Sequence, residues 1–160
     1  SGFAICARPE VHAAAVRYSA PYLTGSGTAA LGMSDFTLES SRRAKALTVW
    51  ALLRHLGRDG VAGVVDHVCA MAQRFAERLE AGGARIANEV ALNMVLADFG
   101  DDDRNAAIAA AVQAEGTAWL ATTDWQGRRL LRLSLSSQAT TAHDVDAAVD
   151  SILRHAAATV

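Results

Sequence analysis

The chain has 160 residues, 51% of them apolar and 20% charged, with a formal net charge of -2. That length suits one ordinary domain, or a small domain with an extension, and the near-neutral charge leaves no electrostatic footprint for nucleic acid. No apolar run reaches the roughly 18–20 residues of a membrane span, and the apolar stretch Phe3 to Ala7 has no basic segment before it, unlike a signal peptide.

Fourteen of the fifteen basic residues are arginine, and Lys45 is the sole lysine. Cys6 and Cys69 form no C-x-x-C and no Cys/His cluster, which argues against structural zinc and against a disulfide framework. Two buried free thiols in a reducing compartment are expected. His12, His55, His67, His143 and His155 show no metal-ligand spacing, so no metal is expected.

Residues 2–7 read as a short buried strand that continues a chain in front of it, ended by Arg8-Pro9-Glu10. A short helix follows around Val11 to Arg17. Periodicity then disappears from Tyr18 to Leu38, where glycine, serine and proline mark a long irregular segment of the kind that is usually functional. Ser40 or Ser41 can cap a helix running to Leu56, where Gly57 stops it. A second helix from Asp59 to Glu80 carries Val61, Val64, Val65, Val68, Met71, Ala72, Phe75 and Leu79 as one apolar stripe, and Gly82-Gly83 ends it.

The rest alternates between strands and helices. Arg85 to Asn88 and Leu92 to Phe99 read as strands, with Val90, Leu92, Met94 and Leu96 on one parity. Asp101 to Asp103 cap a helix to about Ala114, closed by Gly116. Thr117 to Thr122 reads as a strand, Asp124 to Gly127 as a turn, and Arg129 to Ser136 as a strand alternating Leu131, Leu133 and Leu135 with Arg132, Ser134 and Ser136. Thr141 with Asp144 resembles a capping box opening a last helix, with Val145, Val149, Ile152 and Ala156 as its buried stripe. The order is ββαββα, an α+β layer with helices on one sheet face.

Three segments resemble the group II pyridoxal-phosphate-dependent amino-acid decarboxylases, a family that includes aromatic-amino-acid, tyrosine, histidine and glutamate decarboxylases. Ser1-Gly2-Phe3-Ala4-Ile5 is similar to the strand that follows the family's cofactor lysine. Ser41-Arg42-Arg43-Ala44-Lys45-Ala46-Leu47-Thr48-Val49-Trp50, with Leu56-Gly57-Arg58-Asp59-Gly60, is similar to its double-arginine helix and glycine exit. Leu131-Arg132-Leu133-Ser134-Leu135-Ser136, then Thr140-Thr141 and Asp144-Val145, is similar to its last strand, loop and helix. Together they cover nearly the whole chain in the family's order, and the double-arginine helix is the most specific.

The resemblance implies an α/β protein of the aspartate-aminotransferase-like fold (fold type I). Residues 1–38 would be the last strand of its large domain and a mobile active-site loop, 39–81 the linking helices, and 82–160 the C-terminal small domain. It also implies a cytoplasmic homodimer that binds pyridoxal 5'-phosphate, with no nucleic-acid or membrane partner. This chain would be a distal portion, inactive without the upstream remainder that carries the Schiff-base lysine.

Residue by residue, Tyr22 in the loop would protonate the substrate carbon after carbon dioxide leaves, with Tyr18 as its rival. Arg132 would help orient the substrate or the loop, since a guanidinium fork suits a carboxylate, with a solvent-facing or interface arginine as the alternative. Ser40 and Ser41 would reach the neighbouring subunit's pocket, although helix capping explains them as well. Arg42 and Arg43 fit interface or inter-domain ion pairs better than catalytic contacts. Lys45, inside a helix, is not expected to hold the cofactor. Two other readings stay open: another fold type I pyridoxal enzyme (aminotransferase or lyase), or a free-standing α+β dimerisation module.

Overall fold

The computed structural model describes residues 5–17, 33–39 and 43–159. The chain divides into two compact units, Ser1–Leu56 and Gly57–Val160.

In the first unit, helix α1 (Pro9–Val16) begins with proline in its first turn, where a missing N–H is no loss, and with Glu10 near its positive end. His12 meets Phe36 edge to face at 5.5 Å, and Arg17 pairs with Asp35 at 3.4 Å. Phe36 closes a single 3-10 turn, Met33–Phe36. The strand expected at 2–7 is corrected over its described part. Ile5 and Cys6 lie exposed outside any sheet, and Cys6 Sγ donates to the Arg8 carbonyl. An apolar run becomes a buried strand only where a neighbour pairs with it, and none of the described strands does. The expectation of two buried thiols fails with it, because Cys69 is only half-buried.

Helix α2 (Lys45–Ala81) contains one non-helical residue, Gly57, at φ 63° and ψ -170°. Only glycine adopts that backbone without strain. The element is therefore two helical segments broken at Gly57, as expected of a helix stop there. Along the second segment the apolar stripe is buried only from Val68 onward, through Ala72, Phe75, Ala76 and Leu79, while Val65 is exposed. Gly82 follows the helix end, and a Cβ there would overlap the Leu153 side chain.

The second unit continues with β1 (Arg85–Ile86), β2 (Met94–Asp98), α3 (Asp102–Glu115), β3 (Ala121–Trp125), β4 (Arg128–Ser134) and α4 (Ala142–Ala158). The four strands form one antiparallel sheet in the order β1-β2-β4-β3. Val95, Ala97, Leu131 and Leu133 share one core with Phe75 and Leu79 of α2, Ile108 and Val112 of α3, and Val149 and Ile152 of α4. Three helices thus cover one face of the sheet.

Helix ends follow local chemistry. Asp101 caps α3 by accepting from the Asp103 and Arg104 N–H groups, and Gly116 closes it at φ 82°. Thr141 and Asp144 form the full capping box of α4.

Strand positions depart further from expectation. Gln126 and Gly127, both at positive φ, make a two-residue hairpin, so Asp124 and Trp125 belong to β3. The strand expected at 117–122 accordingly starts at Ala121, while Leu120 is buried in the core just ahead of it. In β2 the residues facing the helices are Val95 and Ala97; on the other parity Met94 is exposed and Leu96 buried, and Leu92, ahead of the strand, is exposed.

Ion pairs tie the helices together. Arg74 forks onto Asp146 with bonds of 2.8 and 2.6 Å, and Arg78 reaches Asp146 at 2.9 Å and Asp150 at 2.7 Å. Glu115, the last residue of α3, accepts from Thr117, Arg154 and His155. The Arg74 hydrogen bond, then the Arg78 bond against some desolvation, holds Asp146 down from 3.8 to about 2. Hydrogen bonds from Thr117, Arg154 and His155 hold Glu115 down from 4.5 to about 2. Carboxyls depressed by folding add stability that is complete above their unfolded values and lost as pH falls through the folded ones. Stability should therefore decline between pH 4.5 and about 2. Urea midpoints measured across that range should flatten in the Glu115→Gln/Asp146→Asn double variant. An unchanged slope would show that these carboxyls do not govern the acid limb.

Candidate active-site arginine and its strand

Strand β4 places Arg132 opposite the three-helix face. Its neighbours in sequence, Leu131 and Leu133, enter the core, so strand alternation turns the guanidinium the other way. Across the ladder Arg132 lies beside Leu96 of β2 and Ala121 of β3. It is exposed, and among the described residues no ion pair or side-chain hydrogen bond engages it.

Two arginines nearer the other end of that face are neutralised. Asp98 is 3% exposed and accepts from Arg85 at 2.7 Å, Asn105 Nδ2 at 3.0 Å and the Gly100 N–H at 2.9 Å, with Arg128 at 3.3 Å. Desolvation is the largest single influence and pushes its carboxyl up. The hydrogen bonds from Asn105, Arg85 and Gly100, together with the Arg128 charge, outweigh it and hold Asp98 below its ordinary value. Arg128 also pairs with Asp102 at 3.0 Å. The contrast leaves Arg132 as a cation available to an external anion.

No local signal announced the Asp98 cluster, because its members are brought together from β1, β2, α3 and β4. An acid closing an apolar strand was the only hint. Its bonds are all satisfied internally, so it braces the sheet and offers no open valence to a ligand.

Of the other expected site residues, Tyr22, Tyr18, Ser40, Ser41 and Arg42 lie outside the described residues. Arg43 is described and exposed. His67 donates to the Thr140 carbonyl at 2.8 Å and His155 bonds Glu115 at 2.7 Å, both structural uses. Among the described residues no three His, Cys, Asp or Glu side chains group as metal ligands, and no helix is long and apolar enough to cross a membrane.

A family model described as the pyridoxal-dependent decarboxylase conserved domain matches residues 7–97. The probable L-aspartate decarboxylase of Pyrococcus furiosus is 35% identical over 83 residues, which make up 51% of this chain and 21% of that protein. Among solved structures, Oryza sativa TDC with PLP and tryptamine matches with a TM-score of 0.78 at 20% identity, over 91% of this chain and 33% of its own. Catharanthus roseus tryptophan decarboxylase in complex with L-tryptophan matches at 0.77 and 18% identity, over 96% of this chain and 34% of its own. These structural likenesses establish a shared fold. The chain spans about a fifth of the curated relative and a third of the solved ones.

A pyridoxal cofactor is anchored through a lysine amine held in an enclosed site. Lys45, the sole lysine, is the first residue of α2 and is exposed. The described residues therefore do not fit the cofactor by themselves. The lineage is clear even so: with over half its length matched by the family's conserved domain, the chain belongs to the pyridoxal-dependent decarboxylase family.

Proposed function

We propose that this chain is the distal part of a pyridoxal-phosphate-dependent L-amino-acid decarboxylase of fold type I, which releases carbon dioxide to leave an amine. The family match over residues 7–97 carries the reading. The solved relatives, about three times as long, support it, as does the exposed position of the only lysine. On this reading the chain alone is inactive, and the working protein is a cytoplasmic homodimer whose upstream portion supplies the cofactor lysine.

Arg132 is assigned the substrate carboxylate, Tyr22 the proton returned to the substrate carbon, and Ser40 and Ser41 contacts in the partner subunit's pocket. Residues 1–38 would hold the loop, 39–81 the linking helices and 82–160 the small domain. The named relatives act on side chains as different as aspartate and tryptophan, so the substrate class stays at L-amino acids.

The test uses the protein purified from its source beside the 160-residue chain. The source protein should be about three times longer, show a visible cofactor band and release carbon dioxide from an L-amino acid. The 160-residue chain with pyridoxal phosphate should give neither turnover nor a borohydride-stable adduct at Lys45. Turnover by the short chain would overturn the division of labour, and a source protein without the band would overturn the decarboxylase reading. In the active protein, Arg132→Met should lower kcat/KM by about 10- to 100-fold, the worth of one charge-assisted pair. An unchanged value would release Arg132 from the site.

A further inference from the structure

We draw no further inference here: the strongest candidate, the exposed apolar surface of the first segment of α2 around Leu47, Trp50 and Leu53, carries nothing, because the chain spans a third of its solved relatives and nothing in the structure shows what covers that surface.

Discussion

Replacing Asn105 with alanine should cost about 3 kcal/mol or more of folding stability, although the side chain is small and uncharged. Asn105 is 0% exposed and serves three partners at once. Its Oδ1 accepts from the Phe99 N–H at 2.9 Å, and its Nδ2 donates to Asp98 at 3.0 Å and to the Arg129 carbonyl at 2.8 Å. Alanine leaves a buried backbone donor and acceptor unpaired and takes one bond from a buried carboxylate. Each stranded group costs about 1–3 kcal/mol, since no water reaches it. Urea denaturation followed by circular dichroism measures the loss. Asn105→Asp makes the stricter comparison: it keeps the shape, removes the donor and sets a second anion beside Asp98. It should fold no better than the alanine variant at neutral pH. A loss below about 1 kcal/mol for alanine would mean that the bonds contribute no more than an ordinary surface contact.

What could be read from the sequence was local. Gly57 and Gly116 as helix stops, Asp101 as a cap and Thr141 with Asp144 as a capping box each depend on a few adjacent residues, and each stands where such residues act. Arg132 was legible for the same reason, because Leu131 and Leu133 on either side force the intervening side chain off the core face. The errors were non-local. Ile5 looked like a strand because it is apolar, yet a strand exists only through its neighbour. The β3 register was misjudged because the Gln126-Gly127 hairpin determines it from the far end. The Asp98 cluster was invisible because Arg85, Asn105 and Arg128 approach it from three other elements. No periodicity records a meeting of that kind.

The same reasoning makes parity in the sheet open to experiment. Leu131 is 0% exposed at the centre of β4 and packs in the core that three helices share with the sheet, while Met94 in β2 stands on the opposite parity and is exposed. From residue 94 to 99 both parities are largely apolar, so alternation alone cannot say which side is buried. Truncation can. Leu131→Ala removes side-chain atoms from a site walled by α3, α4 and the sheet, where collapse is restricted, and should cost about 3–4 kcal/mol. Met94→Ala removes a side chain of similar size, yet should cost only about 1 kcal/mol, because Met94 is 37% exposed and lies outside the core that the helices share with the sheet. Comparable losses from the two variants would mean that the face opposite the helices is also a packed core. Arg132 would then lie inside a covered surface and not on one open to an incoming carboxylate. A large difference keeps the Met94 side of that face accessible; Leu96 and Leu130 on the same parity are buried, so the exposed stretch around Arg132 is what remains for a ligand to reach.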